Sequence, residues 1–200
     1  MTAYAKSIGP VEVSPERMDL AEIQNNRFCL PDAEAAKAAE DYLDQKIAEC
    51  DSVGGVVECV ISGLPVGLGE PVFEKLDANL AKAILSIGAV KGFEIGDGFA
   101  ATKACGSENN DEFRMDGDKI VKETNHAGGV LGGISDGSDV VFRAAFKPTP
   151  SIAKSQETVT KDGANIDLVI HGRHDPVVVP RAVVVVESMA AITAMDMLLV

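Results

Sequence analysis

Residues 54–104 read GGVVECVISGLPVGLGEPVFEKLDANLAKAILSIGAVKGFEIGDGFAATKA and carry strand and helix signals in close succession. Residues 54–65 are rich in Val and Ile and are bounded by glycines and a proline, which predicts a strand. Residues 70–88 have the apolar spacing of an amphipathic helix. Residues 90–104 predict a further strand with a glycine kink inside it. A strand, a helix and a strand in this order predict a fold that mixes α and β structure.

The N-terminal flank extends this mixture. Residues 2–13, TAYAKSIGPVEV, predict a strand that runs into a turn at Gly-Pro. Residues 31–50 predict a helix that starts at Pro31 and Asp32. The apolar stripe of this helix consists of Ala36, Ala39, Leu43 and Ile47.

The C-terminal flank begins with residues 105–137, which are rich in Gly, Asn and Asp and predict a long functional loop without regular structure. Residues 138–150 and 165–172 predict two strands. Residues 180–200 predict a nearly all-apolar helix that begins at Pro180, and such a helix is expected to be buried on most sides.

Composition excludes several classes of protein. The chain has 200 residues, 46% of them hydrophobic, which predicts a single globular domain over residues 1–200. Its net charge is -13 with only 18 Lys and Arg, which argues against a nucleic-acid partner. No apolar run reaches the roughly 18 residues of a membrane span, and no signal peptide is recognisable, so we expect a cytoplasmic protein without a membrane partner. The four cysteines lack the spacing of a zinc site, so we expect no metal.

The scarce cations gather in residues 171–182, HGRHDPVVVPRA. Arg173 and Arg181 carry planar donor groups suited to a carboxylate or phosphate, and Asp175 could orient an arginine or His174. A helix that starts at Pro180 would add backbone donors for an anion. This density favours an anion site over the alternative, an arginine-aspartate pair that ties a loop to the helix.

Three further motifs leave alternatives open. Residues 96–101, GDGFAA, match a dinucleotide fingerprint, but no helix is predicted after them, and a glycine bend in a strand fits better. Residues 127–135, AGGVLGGIS, lack the lysine of a P-loop and form either a close backbone approach to a flat ligand or a kinked turn. Residues 146–151, FKPTPS, suit a ligand phosphate or ring carbonyl, or a plain strand-exit turn.

Taken together, residues 62–113, 125–137 (NHAGGVLGGISDG), 146–152 (FKPTPSI) and 172–191 (GRHDPVVVPRAVVVVESMAA) resemble the chorismate synthase family. The resemblance implies an α+β fold: a β-α-β sandwich in which antiparallel sheets enclose long helices, here incomplete. It also implies conversion of 5-enolpyruvylshikimate 3-phosphate to chorismate by a 1,4-elimination of phosphate, catalysed by a carbon-oxygen lyase of the shikimate pathway that requires reduced FMN. NADPH is implied only if the source enzyme reduces its own flavin, and the family forms homotetramers.

The resemblance also assigns site residues. It implies that Arg173 binds FMN and the anionic small-molecule substrate, and that Asp175 is catalytic where flavin and substrate meet. The other FMN-binding residues implied are Gly88, Ala89, Gly132, Lys147, Pro148, Thr149, Pro150 and Ser151. A local focus of cations would let an acidic protein hold a substrate with two carboxylates and a phosphate.

The sequence departs from the family pattern in two ways. The Gly-Glu-Ser-His-Gly and Arg-Ser-Ser-Ala-Arg-Glu-Thr motifs do not occur in these 200 residues, and Val177 stands where the family commonly has a cysteine. The family's acid-base histidine belongs to the first motif, and His126, His171 and His174 do not replace it, so we expect a fragment that is inactive alone. Self-association through exposed apolar surface is a further expectation. The alternatives are a non-catalytic flavin-binding or oligomerising module and an NAD-dependent oxidoreductase.

Overall fold

The computed structural model describes residues 1–172 and 174–199, which form two compact units. The first unit consists of Met1–Tyr4, Val57–Ala145 and Ala182–Val200, and the second of Ala5–Val56 and Phe146–Arg181. Each unit therefore combines segments that lie far apart in the sequence. The single domain expected over residues 1–200 stays a prediction.

The chain contains four α-helices and eleven strands in its described residues. The helices are α1 (Ala33–Ala48), α2 (Leu76–Leu85), α3 (Gly106–Asn109) and α4 (Val179–Leu198). The strands are β1 (Thr2–Ile8), β2 (Val11–Glu12), β3 (Gly55–Ile61), β4 (Val90–Ile95), β5 (Phe113–Asp116), β6 (Lys119–Lys122), β7 (Val130–Leu131), β8 (Ile134–Ser135), β9 (Val140–Phe146), β10 (Gln156–Val159) and β11 (Asn165–Leu168). Helices and largely antiparallel strands confirm the α+β fold class.

The strands form a five-stranded sheet of order β2-β1-β3-β9-β4, and the residues of β9 and β4 and most of β3 belong to the first unit. The inward side chains of β3 and β9, such as Val57 and Phe142, are fully buried. Helix α2 contributes one buried stripe, because Leu76, Leu80 and Ile84 recur at a spacing of four residues. Burying one such side chain contributes about 2 kcal/mol, so this stripe is a main source of the unit's stability.

The second unit is organised around α1. Asp32 precedes the helix, and its side chain accepts hydrogen bonds from the backbone N–H groups of Glu34 and Ala35. The strand β2 pairs with β1 in the register Ser7↔Glu12 and Ile8↔Val11. Strands β10 and β11 form an antiparallel hairpin whose residues are exposed or half-buried.

Helix α1 confirms the expected N-terminus at Asp32, and Ala36, Ala39 and Leu43 are buried as expected. Ile47, however, is 49% exposed, so the prediction that it belongs to the buried stripe was wrong. It lies in the last turn of the helix, where the side chain lines a surface cavity rather than the core.

Helix α4 corrects another expectation. It begins at Val179, one residue before the expected start, and its inner face buries Val186 and Ala190. The helix is not buried on most sides, because an apolar face remains exposed. This face consists of Val184, Val185, Ile192, Met195 and Leu198.

One strand prediction and one loop prediction also need correction. The strand expected over residues 90–104 ends at Ile95, because Gly96 and Gly98 adopt φ +54 and turn the chain into a 3-10 helix, Gly98–Lys103. Residues 105–137 are not irregular, since they form α3, the hairpin β5-β6 and the hairpin β7-β8. In the described residues, no helix has both the length and the apolar composition needed to cross a bilayer.

Candidate functional site

The second unit brings two of the predicted site segments onto one connecting segment, residues 51–53. Ser52 Oγ donates a hydrogen bond of 2.6 Å to the carbonyl oxygen of Thr149, in the turn that follows β9. The backbone N–H of Val53 donates to the carbonyl oxygen of Pro176 at 2.8 Å. Residues 51–53 thereby hold the Lys147–Ser151 turn and the segment around Asp175 beside each other.

A cavity of about 360 Å³ lies at this junction. It is lined by the end of α1, by residues 50–52 and 152–153, and by His174, Asp175 and Pro176. The side chain of Asp175, the predicted catalytic residue, therefore borders a concave surface, as a site for a small molecule requires.

Three polar contacts set the charges around the cavity. Lys154 Nζ lies 2.6 Å from Asp51 Oδ2, and this hydrogen bond lowers the pKa of Asp51 below its ordinary value. Asp175 accepts a hydrogen bond from Arg181, with both side chains well exposed. His174 Nε2 lies 3.0 Å from the carbonyl oxygen of Ile170.

These contacts are compatible with both sequence-based alternatives for Asp175, an anion site and an arginine-aspartate pair. Its carboxylate pairs with Arg181, so the arginine-aspartate pair that ties the loop to the helix is present. An exposed pair of this kind stabilises the fold by only about 0–1 kcal/mol, which leaves the carboxylate available to a ligand. Arg173, predicted to bind FMN and substrate, lies outside the described residues.

Thr149 shows an unusual feature for a hydroxyl side chain. Its Oγ1 atom is buried and has no hydrogen-bond partner in the described part of the chain. A buried polar atom without a partner costs about 1–3 kcal/mol, so native proteins seldom keep one without a reason. A ligand that donates or accepts at Thr149 would remove this cost.

In the first unit, Gly88 and Ala89 form the turn between α2 and β4. Ala89 adopts φ +71, a left-handed conformation that non-glycine residues seldom adopt outside functional or tightly held turns. A Cβ atom added to Gly88 would meet nothing within 4 Å. Neither backbone conformation nor packing within the chain therefore requires glycine at position 88.

Gly132 occupies the tip of the hairpin β7-β8, where it adopts φ +61 and faces open space. The side of this hairpin is fixed by Ser135, whose Oγ donates to Pro65 O at 2.7 Å and accepts from Leu68 N at 2.8 Å. The neighbouring Gly133 carbonyl accepts the backbone N–H of Leu76 at 2.9 Å. The predicted ligand-facing glycine is thus presented on a well-held hairpin.

The base of the same hairpin contains a buried charge cluster, formed by Lys122, Asp111 and Asp136. Lys122 Nζ lies 3.1 Å from Asp111 Oδ2 and 2.7 Å from Asp136 Oδ2. Burial alone would raise the pKa of Asp111. Hydrogen bonds outweigh this effect and hold the pKa well below its usual range. The donors are Ala127 N, Thr124, His126 N and Lys122.

No sequence motif marks this cluster or the Asp51–Lys154 pair. Lys122 is one of several lysines in a polar segment, and its partners are 11 and 14 residues away, so no local spacing marks them. The dinucleotide interpretation of residues 96–101 is not supported, since a 3-10 helix rather than an α-helix follows Gly98. Among the described residues, no group of His, Cys, Asp or Glu is arranged to hold a metal ion.

The predicted site residues are divided between the two units. Gly88, Ala89 and Gly132 belong to the first unit, and the Lys147–Ser151 turn and Asp175 belong to the second. The joint role of the two groups in one ligand site stays a prediction.

Comparisons with known proteins identify the relatives of this chain. The model of the family described as chorismate synthase matches residues 1–199. A chorismate synthase of Lachnoclostridium phytofermentans is 61% identical over 197 residues, which are 98% of this chain and 54% of that protein. A chorismate synthase of Agathobacter rectalis is 63% identical over 196 residues, which are 98% of this chain and 53% of that protein.

A solved structure gives the same result for the fold. A crystal structure of chorismate synthase matches with a TM-score of 0.80 and 30% identity, covering 99% of this chain and 56% of that chain. This chain therefore spans about half the length of the curated relatives it matches.

Proposed function

Because the chain belongs to the chorismate synthase family, we propose that it carries part of the FMN and substrate site of an enzyme that converts 5-enolpyruvylshikimate 3-phosphate to chorismate and phosphate. The observation that carries this proposal is the buried Oγ1 of Thr149, which has no hydrogen-bond partner among the described residues and lies in the turn expected to bind FMN. The comparisons support neither a non-catalytic module nor an NAD-dependent oxidoreductase.

The described residues fit a flavin at three places. Thr149 Oγ1 offers a hydroxyl that needs a partner. Gly88 and Gly132 leave open space where a side chain would otherwise project, so a flat ring system or a phosphate can approach the backbone. The residues proposed to hold FMN are Gly88, Ala89, Gly132, Lys147, Pro148, Thr149, Pro150, Ser151 and Arg173.

Reduced FMN would supply the electron-rich ring system that the elimination requires. The chain's own part is to bind and orient. Lys147 is exposed at the end of β9, where its ammonium group can hold a phosphate. Arg173 is proposed to hold a substrate anion, and Asp175, fixed by Arg181 at the cavity edge, is the proposed catalytic carboxylate.

Further parts of the proposal follow from the family. They comprise a carbon-oxygen lyase acting on a phosphate ester, a cytoplasmic location, assembly as a homotetramer, and NADPH only where the enzyme reduces its own flavin. A nucleic acid or a membrane is not a proposed partner. The two family motifs absent from these 200 residues include the acid-base histidine, so we propose that the chain alone is inactive.

A chimera tests the catalytic part of this proposal. The matching 196 residues of the Agathobacter rectalis relative are replaced by this chain, and chorismate release is followed under anaerobic conditions with chemically reduced FMN. We expect turnover by the chimera and a loss of about 100-fold or more in the Asp175→Asn variant, while Glu157→Gln in the exposed hairpin β10-β11 leaves turnover unchanged. A folded chimera without turnover, or an Asp175→Asn variant with full activity, would contradict the proposal.

A further inference from the structure

The hairpin β5-β6 lies almost entirely on the surface of the first unit. Residues 113–121 are all exposed, so the hairpin buries little apolar surface. The Lys122 side chain, by contrast, is only 2% exposed. The hairpin therefore acts on the rest of the unit chiefly through this one ammonium group.

Lys122 contacts both sides of the segment that carries the hairpin β7-β8. On the side before β7, its Nζ contacts Asp111 and also Asn125 Oδ1, the latter at 3.2 Å. On the side after β8, it donates to Asp136 at 2.7 Å. One charged group thus bridges the two ends of the segment whose tip is Gly132.

The three partners of Lys122 are themselves hydrogen-bonded to the backbone before β7. Asp111 accepts from His126 N at 2.7 Å and from Ala127 N at 3.0 Å. Asn125 Oδ1 accepts from Gly129 N at 2.8 Å, and Asp136 N donates to Gly129 O at 3.1 Å. The conformation of the glycine-rich backbone before β7 depends directly on this cluster.

We propose that Lys122 is a positioning residue for the flavin site, because it neutralises Asp111 and Asp136 at the base of the hairpin β7-β8 and so fixes Gly132 at the tip. The inference rests on the proposed FMN contact at Gly132. Without Lys122, two buried carboxylates would lose the cation that they share, although Asp111 would keep its hydrogen bonds from His126 N and Ala127 N. Their uncompensated negative charges would then favour separation and open the base of the hairpin.

Four forms of the full chain test this inference: wild type, Lys122→Met, Asp136→Asn and the control Lys119→Met, which makes the same change at an exposed position of β6. FMN affinity is measured by fluorescence titration, and hydrogen exchange is measured in peptides covering residues 125–137. We expect Lys122→Met to weaken FMN binding by about tenfold or more and to accelerate exchange in those peptides only. Lys119→Met should match wild type.

Asp136→Asn keeps the Lys122–Asp111 pair, so we expect a smaller change in the same direction, and this variant decides the matter if Lys122→Met fails to fold. If both variants bind FMN as tightly as the wild-type chain does, the inference is overturned, but the proposed function is not. Accelerated exchange throughout the chain would also overturn it, since the role of Lys122 would then be general stability. A wild-type chain that does not bind FMN would overturn the proposed function together with the inference.

Discussion

Asp97 and His126 are joined twice, once through their side chains and once through their backbones. Asp97 Oδ2 lies 2.7 Å from His126 Nδ1, and Asp97 N donates to His126 O at 2.8 Å. The two residues are 29 positions apart, so this double link fixes the turn after β4 against the segment before the hairpin β7-β8.

The side-chain link predicts a moderate loss of stability in Asp97→Ala. Both side chains are about one-third exposed, so we expect a loss of about 1 kcal/mol in the free energy of unfolding, measured by urea denaturation. Asp118→Ala, at an exposed turn position, is the matched control and should change the free energy of unfolding by less than about 0.5 kcal/mol. Equal effects of the two substitutions would show that the link to His126 contributes nothing.

We expect a larger loss in the free energy of unfolding when Asp32 is replaced. Its side chain is buried and accepts hydrogen bonds from Ser14 N, from the first turn of α1 and from Arg17. We expect Asp32→Ala to lower the free energy of unfolding by about 3 kcal/mol, because it removes a helix cap and leaves several donors unpaired. Asp19→Ala, which removes an exposed cap with a single backbone donor, should cost about 1 kcal/mol or less. A smaller loss at Asp32 than at Asp19 would contradict this account.

Low pH should destabilise the chain, because it protonates buried carboxyl groups such as that of Asp32. The folded-state pKa values of Asp32, Asp111 and Asp136 lie below the ordinary value, because hydrogen bonds and nearby cations outweigh the opposing effect of burial. A carboxyl with a depressed folded pKa stabilises the fold above its unfolded pKa of about 3.9, and this stabilisation is lost as the pH falls toward the folded pKa.

Urea denaturation at a series of pH values checks this. We expect a constant free energy of unfolding between about pH 7 and pH 5 and a steep decrease below about pH 4. Asp111→Asn should be less stable than wild type at neutral pH and should show a shallower decrease in acid. The expectation fails if the wild-type free energy of unfolding is the same at about pH 3 as at pH 6.

Substitution by alanine should have opposite effects on stability and FMN binding at Gly88 and at Gly128. In Gly88→Ala the new methyl group meets no atom of the chain, so stability should change by less than about 0.5 kcal/mol while FMN binding weakens. In Gly128→Ala the methyl group would lie 2.3 Å from Gly96 N at φ +65, so unfolding should become easier by about 2 kcal/mol or more. Thermal denaturation and flavin titration of both variants separate a ligand-facing glycine from a packing glycine. Unchanged FMN affinity in Gly88→Ala would argue against the flavin contact.

Local signals in the sequence were enough to predict much of the fold. The start of α1 follows from Asp32 and its apolar stripe, and α2 follows from the spacing of Leu76, Leu80 and Ile84. The Asp-Gly pair at residues 116–117 is a hairpin signal that could have identified β5-β6 within the segment expected to be irregular.

Tertiary surroundings explain what the sequence did not show. Periodicity places Ile47 on an apolar stripe, and the apolar composition of residues 180–200 predicts a helix buried on most sides. Neither signal says which part of a helix is covered, and the side chains of Ile47 and Ile192 are exposed. The Lys122 cluster depends on partners supplied by two different turns, so it becomes visible only in the folded chain. The site motifs were recognisable by resemblance. By contrast, only the structure shows that the Thr149 hydroxyl is buried and has no hydrogen-bond partner in the part of the chain that it describes.

Fluorescence titration of FMN with the wild-type chain and with Thr149→Val is the most direct measurement of the central claim. Valine has nearly the same shape as threonine but lacks the buried hydroxyl, for which the described residues 1–172 and 174–199 supply no hydrogen-bond partner. The account predicts saturable FMN binding by wild type and an affinity about tenfold weaker in Thr149→Val, whose ligand-free form should be at least as stable as wild type. Absence of FMN binding by wild type, or equal affinity in the two proteins, would contradict the claim that this turn binds the flavin.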